Sequence, residues 1–142
     1  MYIDHIEIDN FRTFRKARID FCHADRDFEQ LKMPAPRLPN INLLLANNGY
    51  GKTSLLRAIA MAALGPAVGH SGIYPYRLIR RDNGNGKDLP SAALKAEFTT
   101  HDQDHTKYRL IDSHVEVAPQ GDLEILTWAH AEEKPWHPVF SN

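Results

Sequence analysis

The sequence predicts an α/β fold in which one parallel core strand and its helix stand beside an antiparallel side sheet. Three observations predict it. Apolar and polar residues alternate near the start and again through the second half, which is the period of half-buried strands. Residues 41–46 form a short run, Ile41-Asn42-Leu43-Leu44-Leu45-Ala46, apolar on both sides as parallel strands are. After a glycine loop, apolar residues recur at three- and four-residue spacing, the mark of an amphipathic helix.

The chain has 142 residues, of which 42% are hydrophobic and 25% charged, so it suits one folded domain rather than a disordered segment. Net charge is −1, so no whole-chain field draws in nucleic acid and any basic surface must be local. The single cysteine, Cys22, excludes an internal disulfide framework and a Cys-based zinc site. It points to a reducing setting, and the expected location is cytoplasmic. The opening Met1-Tyr2-Ile3-Asp4-His5 lacks the basic start and apolar core of a signal peptide, and no apolar run is long enough to span a membrane.

In chain order, Ile6 and Ile8 alternate with Glu7 and Asp9, and Ala17, Ile19 and Phe21 alternate with Arg18 and Asp20. These are two strands, with a turn expected over Asn10-Phe11-Arg12-Thr13-Phe14. Residues 23–39 are polar, then proline-rich, and read as a loop. Leu55, Leu56, Ile59, Ala60 and Ala63 are expected to share one helix face, with Gly65-Pro66 as its stop. Residues 65–91 form a long loop rich in Gly, Pro and Asn; loops of that length in compact domains usually carry function or move. Strands return at 94–98, 108–117 and 123–128, with Pro119-Gln120-Gly121-Asp122 as the last turn. These three are expected to form the side sheet.

The chemistry sits at Ala46-Asn47-Asn48-Gly49-Tyr50-Gly51-Lys52-Thr53. It matches the phosphate-loop pattern Gly-x-x-x-x-Gly-Lys-Ser/Thr, with Ala46 in place of the first glycine and the strand-before, helix-after context intact. Gly49 and Gly51 let the backbone bend so that successive N–H groups face one anion. The helix start adds its dipole and unpaired N–H groups. Lys52 is expected to place a cation on the β- and γ-phosphates, and so to be the catalytic lysine. Thr53 would supply a hard oxygen to Mg²⁺, and Ser54 a contact to the α-phosphate. Asn47, Asn48, Gly49, Tyr50, Gly51, Lys52, Thr53 and Ser54 are thus the expected site for ATP with Mg²⁺, with Thr53 as the metal ligand. The competing reading is a glycine-rich turn with a solvated lysine, which has no account of Lys-Thr directly after the second glycine.

Two stretches together resemble the SMC/RecF class of ABC-type P-loop ATPases: Ile6-Glu7-Ile8-Asp9-Asn10-Phe11-Arg12-Thr13-Phe14, similar to its opening strand and turn, and Asn42 through Leu56, similar to its phosphate loop. The resemblance covers the first half well and the rest as a strand pattern. It implies an ABC-ATPase-like N-terminal lobe in which Arg12 contacts the nucleotide with Thr13 beside it, and in which ATP joins two such heads and hydrolysis releases them. It implies work in DNA maintenance, repair or defence, including overcoming-lysogenisation-defect and anti-phage ATPases, with DNA or a nuclease as candidate partners.

The sequence also departs from that class. No apolar run ends in the Asp-Glu pair that would hold Mg²⁺ through water and activate the attacking water; Glu132-Glu133 follows too polar a segment. No Ser-Gly-Gly signature occurs, and the γ-phosphate-sensing glutamine is unassigned, Gln103 and Gln120 being weak fits. The chain is therefore expected to be the N-terminal lobe, 1–142, of a larger ATPase, acting as part of a homodimer of heads, with the rest of the same ATPase completing the site. Alone, it is expected to be inactive in hydrolysis. His101, Asp102, Asp104 and His105 read as a solvated hairpin tip rather than a metal site. Tyr74, Tyr76, Arg77, Arg80, Arg81 and Lys87 give the long loop a basic, aromatic character suited to nucleic acid or to a solvated loop. Two alternatives stay open: a small P-loop kinase for a metabolite, and a non-catalytic module regulated by nucleotide.

Overall fold

The computed structural model describes residues 1–65, 67–68, 76–81, 91–104 and 109–129. One five-stranded antiparallel sheet, ordered β2-β1-β3-β4-β5, packs against a single described helix. The strands are β1 (Tyr2–Phe11), β2 (Phe14–Asp20), β3 (Ala92–Thr99), β4 (Leu110–Gln120) and β5 (Leu123–Ala129); the helix α1 is Lys52–Leu64. The two N-terminal strands belong to the same sheet as the three later ones rather than standing apart from a side sheet.

The alternation seen in the sequence decides the faces. Ile6, Ile8, Leu94, Ala96, Val115 and Val117 are buried against the helix side. Opposite them, Glu7 pairs across to Arg18 on β2 and Lys95 on β3, so the far face carries a lattice of charges. Arg18 donates to Glu7 at 2.7 Å and to Asp20 at 3.3 Å. The β1–β2 turn is shorter than expected: Phe11 pairs with Phe14, leaving Arg12 and Thr13 as its two central residues. Likewise β4 runs through Pro119 and Gln120, leaving Gly121 (φ +61°) and Asp122 to turn the chain. Proline fits there because its missing N–H falls near a strand end.

The helix face is a correction. Ser54, Leu55, Ala58, Met61 and Ala62 are the buried residues of α1, whereas Leu56 is 57% exposed and Ala60 is exposed. Small residues at 58 and 62 let the helix lie close on the sheet, and the Ser113 hydroxyl donates to the Ala62 carbonyl at 2.7 Å. Gly65 (φ +48°) ends the helix, its N–H bonding the Met61 carbonyl at 3.0 Å. The periodicity was a true helix signal, but α1 carries apolar residues on more than one side, and the spacing does not say which side meets this sheet.

The second correction concerns residues 41–46. They form no strand, and Ile41, Leu43 and Leu45 are 63%, 76% and 82% exposed. A strand exists only through the ladder it makes, and this segment pairs with neither outer strand of the sheet, β2 or β5. Its tie to the fold is upstream, where the Asn42 side chain accepts from the Cys22 N–H and donates to the Cys22 carbonyl, both at 2.8 Å. No described helix is long and apolar enough to cross a membrane.

Candidate functional site

The glycine loop hangs between the exposed segment 41–46 and the start of α1. Gly49 and Gly51 hold φ of +86° and +96°, in the left-handed region that L side chains rarely adopt. Gly51 is the N-cap of α1; no side chain caps the helix and no acidic residue sits in its first turn. The two glycines differ in their surroundings. A Cβ on Gly49 would meet open space, whereas one on Gly51 would lie 2.8 Å from both the Phe14 ring and the Thr13 Oγ1. The β1–β2 turn is thus pressed against the second glycine of the loop.

Lys52, the first helical residue, folds back: its ammonium donates to the Ala46 carbonyl and, at 3.0 Å, to the Asn47 carbonyl. It thereby ties the helix start to the beginning of the loop. The Tyr50 N–H closes the loop onto the Asn47 carbonyl at 3.3 Å, and the Tyr50 ring is 74% exposed. Asn47, Asn48 and Thr53 are exposed, while Ser54 is buried beneath the loop. An uncapped helix start, backbone amides with no side chain over them and a neighbouring ammonium form a set of donors without a built-in anion. That set fits a polyphosphate. The Thr53 hydroxyl is the oxygen that would face Mg²⁺, and no cluster of three or more His, Cys, Asp or Glu residues suited to a metal occurs among the described residues.

The turn beside the loop is strained. Asn10 and Arg12 both have φ of +50°, a region that asparagine tolerates and arginine seldom visits. A segment around residues 77–80 holds them there. The Arg12 N–H bonds the Leu78 carbonyl at 2.7 Å and the Arg80 N–H bonds the Asn10 carbonyl at 2.8 Å. Phe11 and Ile79 form an isolated bridge. The Arg80 guanidinium reaches the Thr13 carbonyl at 2.8 Å, and that of Arg12 lies 3.4 Å from the Arg77 carbonyl. Thr13 therefore lies at the loop, while the Arg12 guanidinium is turned toward residue 77. Phe11 is fully buried and Phe14 packs on Gly51.

Sequence reasoning passed over two buried acids. Glu124 on β5 is 7% exposed and accepts from the Leu78 N–H at 2.6 Å and the Ile79 N–H at 3.3 Å. Asp4 on β1 is 4% exposed and accepts from Thr99 at 2.6 Å, from Arg26, and from His23 at 2.8 Å. Burial pushes the Asp4 carboxyl up, but the hydrogen bonds of Thr99, His23 and Arg26, with the charge of Arg26, outweigh it and hold it below the ordinary carboxylate value. The ring of Tyr2 stacks on that of His23 at 4.9 Å. The signal for Asp4 was available: it shares strand parity with Ile6 and Ile8. The tip at 101–104 is solvated as expected, with Asp104 accepting from the His101 N–H and pairing with the N-terminal amine, both at 2.7 Å; His105 lies outside the described residues, as do Tyr74, Lys87 and Glu132-Glu133.

Fold and sequence together are those of the N-terminal part of an SMC/RecF-like, ABC-type ATPase. The chain belongs to the AAA domain family, whose sequence model matches residues 5–119. It is 36% identical over 64 residues to the DNA replication and repair protein RecF of Lactobacillus acidophilus, a match spanning 45% of this chain and 13% of that protein. It is 24% identical over 135 residues to RecF of Acidothermus cellulolyticus, spanning 94% of this chain and 28% of the relative. The similarity thus continues through the strand-rich second half. Among solved structures it resembles an SMC ATPase studied for ATP-driven dimerization and DNA-stimulated activation, with TM-score 0.56, 19% identity, and coverage of 92% of this chain and 72% of that one. The matched stretches amount to less than a third of the length of these RecF relatives.

Proposed function

We propose that residues 46–54 bind ATP with Mg²⁺ and that this chain is the phosphate-loop half of an ATPase acting in DNA maintenance, repair or defence. The carrying observation is the junction at Gly51, where an uncapped helix start, a left-handed glycine and the β1–β2 turn converge with Lys52 folded over the loop. On this reading the amides of Asn48, Gly49, Tyr50, Gly51 and Lys52 cradle the β-phosphate, Lys52 leaves its carbonyl partners for the β- and γ-oxygens, and Ser54 reaches the α-phosphate. Thr53 holds Mg²⁺, which when bound neutralises charge on the phosphates. Arg12 and Thr13 approach the nucleotide from the turn. Asn47 shapes the loop through its carbonyl.

The groups that activate water and complete a second head are not in the described residues. We assign them to the remainder of the same protein, with two heads closing on ATP; the RecF and SMC relatives support this through their names and fold. DNA, or a nuclease partner, is the proposed target of that cycle, and the cytoplasm its place. Titration calorimetry with Mg-ATP tests the site. Replacing Lys52 removes charge-assisted bonds of about 1.5–3 kcal/mol, so Lys52→Ala is expected to weaken binding by roughly tenfold or more. Wild-type affinity in that variant would end the proposal.

A further inference from the structure

We infer that Glu124, 72 positions beyond Lys52, is a positioning residue for the nucleotide site, acting through the segment 77–80 and the Arg12 turn. The inference rests on the proposed ATP site and adds to it a residue that no motif contains. Glu124 lies on the inward face of β5, with Leu126 and Trp128 on the same parity and Pro119, which has no N–H, as its cross-strand neighbour. An acid here is costly, since a buried carboxylate loses its hydration. Its partners among the described residues are two consecutive backbone N–H groups, those of Leu78 and Ile79.

Those two amides are the middle of the segment that grips the turn. On its other side the same segment bonds Asn10 and Arg12 through its backbone, and Thr13 through the Arg80 guanidinium. Its ladder pairing among the described residues is one isolated bridge, Phe11 with Ile79; the burial of Leu78 and Ile79 anchors their side chains, and Glu124 takes up the two backbone N–H groups that face away from β1. Arg12 and Arg77 both keep φ near +50°, conformations that persist only where the surroundings over-determine them. The Thr13 hydroxyl and Phe14 ring then fit against Gly51 so closely that a single methyl would collide with both. The path is therefore continuous: the Glu124 carboxylate fixes the amides of 78 and 79, these fix Arg12 and Thr13, and these seat the phosphate loop. Removing the carboxylate frees Arg12 to leave its left-handed conformation and Thr13 to withdraw from Gly51.

The test uses the full-length protein, with calorimetric binding of Mg-ATP and residue-resolved amide exchange by NMR. Glu124→Gln keeps the shape but turns one acceptor into a donor facing the two amides. It is expected to weaken Mg-ATP binding about three- to tenfold, the size of one ordinary hydrogen bond, because the loss reaches the nucleotide only through the turn. The amides of Arg12, Leu78, Ile79 and Arg80 should exchange faster, well below the melting temperature. A purely structural role would lower the melting temperature and leave affinity unchanged. If Glu124→Gln does not fold, Glu124→Asp keeps the charge, shortens the reach and takes the same measurements. A folded variant with fast exchange at Leu78 and Ile79 but wild-type affinity overturns the inference. If instead the wild type shows no Mg-ATP heat, or Lys52→Ala binds as the wild type does, the ATP site itself fails and the inference falls with it.

Discussion

Gly51 and Gly49 are alike in the motif and unlike in the molecule. Both need positive φ, but only Gly51 also needs the space that a Cβ would fill, because Thr13 and Phe14 stand 2.8 Å from it. Gly49→Ala should cost roughly 1–2 kcal/mol, the penalty for a left-handed alanine. Gly51→Ala should cost clearly more, since the Phe14 ring must move as well, and should also impair Mg-ATP binding. Urea unfolding of the two variants side by side checks this; equal losses would mean that the turn yields freely. At this scale the backbone of the loop was legible, because positive φ at Gly49 and Gly51 and a helix opening at Lys52 are set by eight consecutive residues. Glu124 was not legible: its role depends on Leu78 and Ile79, 46 and 45 positions away, and nothing in Leu123-Glu124-Ile125-Leu126 announces that pairing.

The elements were read well where local periodicity and local environment agree. β1, β2, β3 and β4 alternate and found antiparallel partners within the sheet, whereas β5, also paired, turns Glu124 inward and leaves Leu123 and Ile125 60% and 38% exposed. Reading failed where the environment is set by distant chain, as for the buried side of α1 and for residues 41–46. The tie between β1 and the loop after β2 is another such case. Asp4 draws Arg26 and His23 of that loop onto the sheet beside Thr99 of β3. Its folded carboxyl lies below the ordinary value, because the three hydrogen bonds exceed the cost of burial. A depressed folded value means that the unfolded chain binds the proton more readily. The stabilisation is therefore fully present above the unfolded value of about 3.9 and is lost as pH falls through the folded one. Wild-type stability should hold from neutral pH down to about pH 5 as far as this group is concerned, then drop through pH 4 and 3. Asp4→Asn should be less stable at pH 7 by about 3–5 kcal/mol, since it leaves partly buried Arg26 with only its 3.6 Å pairing to Asp20 and removes the carboxylate that His23 faces, and it should show a shallower acid slope. Urea midpoints at pH 7, 5, 4 and 3 would expose an error: equal slopes in the two proteins would remove Asp4 from the account.

For the whole molecule, the most telling feature is apolar surface where a P-loop lobe has its core. Leu43, Leu45 and Leu56 are 76%, 82% and 57% exposed, on the two elements that flank the phosphate loop. The antiparallel sheet covers one side of α1 and leaves these residues without cover. The proposed longer protein would supply parallel strands beside 41–46, burying that run on both faces as its composition suits. A substitution can separate the two states. Leu45→Asp in the 1–142 chain changes a residue already in water and should alter stability by no more than about 0.5 kcal/mol. In the longer protein the same change would place a carboxylate inside a parallel sheet, where an unpaired charge is expelled or must be neutralised, and the loss should be several-fold larger. Mg-ATP binding should fall with it, because the run leads directly into Asn47 and Gly49. Urea unfolding of both lengths, with and without the substitution, reads the difference. An equally small effect in the longer protein would show that residues 41–46 stay outside any sheet, and the proposed parallel core would have to begin elsewhere in the chain.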